Sequence, residues 1–153
     1  MTLTIEPADF ADPALADFVQ AHIDDMWPTA PPESQHPLSL EELQRPGVRL
    51  WVARLDGVLV GTAALSRMAG GDLELKTMRT EPAARGRGVG TALLERVLAE
   101  AGASGAKRVW LETGSMEFFA PARALYAKYG FVECGPFGDY GPDPNSTFMV
   151  RVL

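Results

Sequence analysis

Between a strand-like run and a helix-like run the sequence reads Arg85-Gly86-Arg87-Gly88-Val89-Gly90-Thr91. Glycine at alternate positions frees the backbone for conformations closed to other residues and lets a ligand approach it closely. Successive N–H groups in such a turn point outward, and the following helix adds the positive end of its dipole. With Arg85, Arg87 and the Thr91 hydroxyl as further donors, the segment reads as an anion cradle suited to a diphosphate. Two other phosphate motifs do not fit it. A P-loop needs a Lys after its last glycine, which is missing, and the dinucleotide fingerprint needs a third glycine where Thr91 stands.

The cradle sits in an acidic chain. Fourteen Lys plus Arg against twenty Asp plus Glu give a net charge of −6. That balance argues against a coat for nucleic acid or an anionic membrane, so neither is expected as a partner and any anion must be held locally. A length of 153 residues fits one domain, expected to span 1–153. The single cysteine, Cys134, excludes an internal disulfide and any multi-thiolate metal site, so no metal is expected and a reducing compartment is. The opening MTLTIEPADFADP has neither a basic nor an apolar region, and no run approaches the ~18 to 20 apolar residues of a membrane span. A cytoplasmic location is expected.

Apolar periodicity orders the rest. Leu3 to Glu6 alternate as a short strand, and Asp9 or Asp12 can cap a helix from Pro13 whose stripe is Leu15, Phe18, Val19, His22, Ile23 and Met26. Ser39 with Glu42 three residues on predicts a capped short helix over Leu40 to Arg45, stopped by Pro46-Gly47. Val48 to Leu65 predicts two strands around an Asp56-Gly57 hairpin turn. Leu73 to Thr80 follows as a strand, its alternation setting Glu74, Lys76 and Met78 on one face. A helix from Val89 to about Ala103, a strand from Arg108 to Glu112, a helix from Pro121 to Tyr129, and strands from Phe131 and from Thr147 complete the order. This is an α/β (α+β) chain with a mixed sheet and about four helices.

The stretch Met78 to Gly90 resembles the acetyl-CoA signature of the GCN5-related N-acetyltransferases, the GNAT superfamily, whose core Gln/Arg-x-x-Gly-x-Gly/Ala is here Arg85, Gly88 and Gly90. A second stretch, Ala122 to Phe131, resembles the family's later motif, an Ala-x-x-Leu-Tyr helix leading into Gly-Phe. The element order agrees over essentially the whole chain. The resemblance implies the GNAT fold: a mostly antiparallel sheet splayed between its fourth and fifth strands, with the pantetheine arm of acetyl-CoA in the opening. It implies that the backbone of Met78, Arg79 and Thr80 meets the pantetheine and the acetyl carbonyl, with an N–H near Met78 as oxyanion donor. By the same likeness Arg85, Gly86, Arg87, Gly88, Val89, Gly90 and Thr91 hold the diphosphate, and Tyr126 faces the CoA sulfur as general acid.

Transfer of an acetyl group from a thioester to an amine needs a neutral amine, a stabilised oxyanion and a proton for the thiolate. Glu74 aligns with the glutamate that histone-acetylating members carry on this strand and is a candidate base; equally, its spacing from Lys76 fits a simple ion pair. Glu112 and His36 are further candidates on the acceptor side, and Lys76 and Arg79 are cations for a substrate carboxylate, although alternation sets those two on opposite faces. Where members often carry an Asn before the later helix, this chain has Glu117-Phe118-Phe119-Ala120. Arg123 and Lys128 on that helix are within reach of a 3′-phosphate on the likeness, but read first as solvated surface charges. The segments Leu111 to Gly114, Pro136-Phe137 and Asn145-Ser146 resemble a bacterial small-molecule subgroup, so a small, amino-acid-like amine is the expected acceptor. A protein lysine or N-terminus, or a non-catalytic CoA-binding module, is the alternative, and a homodimer is compatible with the likeness.

Overall fold

The computed structural model describes residues 1–153. In chain order it contains β1 (Leu3–Pro7), α1 (Pro13–Met26), β2 (Val48–Leu55), β3 (Val58–Arg67), β4 (Leu73–Thr80), α2 (Val89–Ala103), β5 (Arg108–Gly114), α3 (Ala120–Lys128), β6 (Val132–Cys134) and β7 (Ser146–Val152). The Asp12 side chain caps α1 by accepting from Ala14 N–H at 3.0 Å. Asp56 and Gly57 both take positive φ, the geometry a two-residue hairpin turn requires. The expected helix over 40–45 is instead a single 3-10 turn, Glu42–Gln44. Its capping box forms, with Ser39 and Glu42 exchanging hydrogen bonds of 3.1 and 3.2 Å, but Pro46 ends the segment before the cost of nucleating a helix is recovered. Three α-helices remain where about four were expected.

Seven strands form one sheet in the order β1-β2-β3-β4-β5-β7-β6. Every neighbouring pair is antiparallel except β4 and β5. That parallel pair is joined through α2, which crosses one face and packs so closely on β3 that a Cβ at Gly61 would lie 2.8 Å from Leu93 and 2.9 Å from Val89. The larger core lies under α2 and α3, built on Trp51, Ala63, Leu75, Leu93, Val97 and Tyr126. A smaller core under α1 joins Leu15 and Val19 to Leu50, Val52 and Ala64 on the opposite face. Each fully buried aliphatic side chain contributes about 1.5 to 3 kcal/mol, so both faces are held independently.

Two breaks in regularity make the site. First, β4 and β5 pair only at Leu73↔Val109, Glu74↔Trp110 and Leu75↔Leu111, although β4 continues to Thr80 and β5 to Gly114. Beyond those pairs β4 follows β3 while β5 follows β7, and the sheet opens. Second, β4 bulges: Lys76 pairs with Ala64 and Arg79 with Thr62, so Thr77 and Met78 together stand against Ala63. Thr77 takes φ +55°, rare for a β-branched residue, and its carbonyl accepts from Thr62 Oγ1 at 2.7 Å.

Candidate active site

The opening holds two adjoining cavities that share Met78, Phe119, Ala122 and Tyr126 among their walls. The larger, of about 420 Å³, runs from this junction to the glycine turn between β4 and α2. Gly86 and Gly88 adopt φ of +80° and +78°, and Gly88 is the left-handed N-cap of α2 with no side-chain hydrogen bond over it. The backbone amides of Gly86, Arg87 and Gly88 find no acceptor within the chain. The first helical bond is the one Ala92 N–H donates to Gly88 O, so the amides of Val89, Gly90 and Thr91 are free as well. Neither Arg85 nor Arg87 is paired with a carboxylate. An unbroken run of donors, backed by unpaired arginines and a helix dipole, is the chemistry that anion binding requires. The Thr80 hydroxyl and the Leu125 side chain lie close beside Gly90, at 3.6 and 3.5 Å from where its Cβ would stand.

The smaller cavity, of about 110 Å³, lies on the other side of the opening against β4, β5 and the segment after α1. Here side chains set the chemistry. Lys76 Nζ donates to the Tyr140 hydroxyl at 2.8 Å and to Glu74 Oε2 at 3.3 Å, and the Tyr140 hydroxyl donates to Glu74 Oε2 at 2.6 Å. Burial and the Glu74 carboxylate both push the Tyr140 phenol upward, so it stays protonated. From β5, Glu112 accepts from Ser146 Oγ at 2.7 Å and lies 3.7 Å from His36 Nδ1. Burial raises the Glu112 carboxyl above the ordinary carboxylate range, against the opposing pull of Ser146, His36 and Lys76. The His36 and Tyr140 rings stack edge to face at 4.9 Å. Two further contacts hold this wall: Asn145 Nδ2 reaches Ser34 Oγ at 3.4 Å, and Ser115 Oγ donates to Pro144 O at 2.7 Å.

Tyr126 stands where the cavities meet, 5% exposed, its ring 5.8 Å from Phe131. Desolvation pushes its phenol well above the usual tyrosine value, so it too stays protonated. His22, from the apolar stripe of α1, lines both cavities and is driven down to about 4 by burial and then by the charge of Arg79. It was legible as a polar residue in an apolar stripe. Tyr140 had no comparable signal, because nothing local marks one residue of a Gly/Pro/Asp loop. Phe119, from the stretch that lacks the Asn, lies so tightly on Gly114 that a Cβ there would force the ring to move.

The bulge revises two expectations drawn from strict alternation. Glu74, Lys76 and Arg79 pair with Ser66, Ala64 and Thr62 and so share one face of β4, whereas Met78 packs on the α2 side. Lys76 and Arg79 are therefore not opposed, and Glu74 and Met78 are not on one face. Arg79 is nevertheless committed elsewhere, 2.7 Å from Asp25, 3.4 Å from Glu81 and over the Phe18 ring. Arg123 is not a solvated surface charge: its Nη1 donates to Gly114 O at 2.7 Å and to Met116 O at 2.9 Å, clamping the β5–α3 connection.

Comparison with known proteins agrees with this architecture. Residues 16–131 match the Acetyltransferase (GNAT) family. The chain is 41% identical over 145 residues to the uncharacterized N-acetyltransferase YsnE of Bacillus subtilis, covering 95% of this chain and 96% of that one. It is 43% identical over 140 residues to an IAA acetyltransferase of Azospirillum brasilense, covering 91% and 88%. In fold it matches an acetyltransferase of the GNAT family from Staphylococcus aureus at a TM-score of 0.78 and 20% identity, over 99% of each chain. The chain belongs to the GNAT family and is an acetyl-CoA-dependent N-acetyltransferase.

Proposed function

We propose that this enzyme acetylates the amine of a small metabolite by direct attack, with acetyl-CoA and the amine bound together. The observation that carries the reading is the meeting of the two cavities at Tyr126 and Met78. One is backed by free amides and the other by carboxylates. The diphosphate lies on the amides of residues 86–91 with Arg85 and Arg87, and the pantetheine follows Met78, Arg79 and Thr80 toward the opening. Acetyl-CoA supplies the activated carbonyl. As the amine nitrogen bonds to that carbon, the carbon–sulfur bond breaks, an amine proton passes to a carboxylate, and that carboxyl returns a proton through solvent to the thiolate, leaving the amide and CoA as its thiol.

Glu112 is the better placed of the two carboxylates for that proton. Glu74 Oε2 is already occupied by the Lys76 ammonium and the Tyr140 hydroxyl, at 3.3 and 2.6 Å, whereas burial raises the Glu112 carboxyl. The phenol of Tyr126 faces the sulfur. Its raised pKa makes it a weaker acid than the thiol, so it steadies the thiolate through a shared proton instead of surrendering one. A backbone N–H at the bulge near Met78 takes the oxyanion. A small acceptor is supported by the chamber of about 110 Å³, well under the ~300 Å³ at which ordinary ligand pockets begin.

The test is release of free thiol from acetyl-CoA across a panel of small amines and of peptides bearing lysine or a free N-terminus. Turnover of small amines that falls in Glu112→Gln, with CoA affinity unchanged, is expected. Turnover of peptides alone contradicts the small acceptor, and CoA binding with no turnover of anything favours a regulatory module.

A further inference from the structure

Resting on that reading, we infer that the acceptor chamber is built for a primary amine with no carboxylate beside it, so that decarboxylated amines are preferred to the corresponding amino acids. A substrate carboxylate needs an uncommitted cation, and each cation within reach has been taken by the protein itself.

Lys76 is the only lysine or arginine lining the chamber. Its ammonium is held between Glu74 and Tyr140, with both members of the ion pair largely shielded from solvent, at 13% and 14% exposure. Tyr140 tightens this arrangement by giving its own proton to the same carboxylate oxygen, at 2.6 Å. Arg79 shares the face of Lys76 but spends its guanidinium on Asp25 and Glu81. Arg123 spends its own on two carbonyls. His22 lines the chamber as a neutral imidazole at neutral pH, since burial and Arg79 oppose its protonation. His36 Nδ1 faces Glu112, 3.7 Å away.

With Lys76 held by Glu74 and His36 set against Glu112, the chamber presents carboxylates and no free cation. A carboxylate entering with the amine would face those groups unpaired, and like charges brought together out of water are strongly disfavoured. An ammonium group is welcome in the same place. Glu74, Lys76 and Tyr140 are on this view specificity-determining: Glu74 and Tyr140 withhold Lys76 from the substrate.

The experiment uses matched pairs that differ by one carboxylate: lysine and cadaverine, histidine and histamine, tyrosine and tyramine. For each, kcat/KM is measured by thiol release, alongside the unfolding midpoint of the CoA-bound protein with each compound. The decarboxylated member is expected to be better by at least about 10-fold, with the same ranking in the midpoint shifts. Equal or better use of the amino acids overturns the inference while leaving the acetyltransferase reading intact. No turnover of any member, with the CoA-induced shift retained, overturns the catalytic reading and this inference with it. Glu74→Gln then releases Lys76 and should raise the ratio of amino acid to amine by about 10-fold or more. Tyr140→Phe should move that ratio the same way by less. A loss on both members at constant ratio in both variants contradicts the withholding role and returns Glu74 to the position of catalytic base.

Discussion

The two halves of the opening are made by different means. The large cleft is a backbone device: one contiguous segment, residues 85–91, supplies its free amides, its positive-φ glycines and its arginines. The smaller chamber is a side-chain device assembled from β4, β5, the segment after α1 and the loop before β7. Backbone donors bind whatever carries the matching anion, whereas a chamber built from side chains changes its preference with each substitution. The difference suits an enzyme that keeps one cosubstrate and has an acceptor of its own.

Substitutions that strike one half and spare the other test this division. The largest effect is expected from Gly88→Glu, which puts a side chain at φ +78° and a carboxylate among the diphosphate donors. Calorimetric titration should show CoA affinity lower by at least about 100-fold, with the fold retained by circular dichroism. Undiminished affinity would remove the turn from the account. Next comes Gly114→Ala, whose Cβ has no room against the Phe119 ring. It should lower stability by about 1 to 3 kcal/mol in urea unfolding, and a neutral result would mean that Phe119 yields easily.

Tyr126→Phe divides the halves differently, because Tyr126 belongs to both. A fall in kcat of about 10-fold or more, with CoA affinity nearly unchanged, is expected; kcat equal to the parent would deny the phenol a part in the chemistry. The smallest effect concerns His22. Its folded pKa of about 4 lies below the unfolded value of about 6.5, so the unfolded chain binds its proton first as pH falls. Its contribution is therefore whole above pH ~6.5 and is lost on the way down to pH ~4. His22→Gln should flatten the stability curve across that window, and parallel curves for the two proteins would show that His22 titrates normally.

The same division explains what could be read in advance. The glycine turn, the limits of α2, the hairpin at Asp56-Gly57 and the cap at Asp12 all follow from residues near one another in sequence. The resemblance carried by Arg85, Gly88, Gly90 and the Ala122 to Phe131 stretch supplied the splay, which no local pattern encodes. The bulge at Thr77 was not legible, because a single extra residue leaves the composition of a strand unchanged while reversing every face beyond it. Glu74 and Lys76 were legible as a pair, and they are one. That Tyr140 binds both depends on a contact across 64 and 66 positions, beyond the reach of periodicity.

The most direct test of the central claim compares CoA with pantetheine, which keeps the thiol arm and lacks the diphosphate, in thermal unfolding of the intact protein. With the diphosphate held on residues 85–91, CoA at ~100 times its dissociation constant should add about 2.7 kcal/mol of stability, and pantetheine at the same concentration should add little. An equal shift from both compounds, or a full CoA shift in folded Gly88→Glu, would contradict the account by placing the binding energy outside the turn.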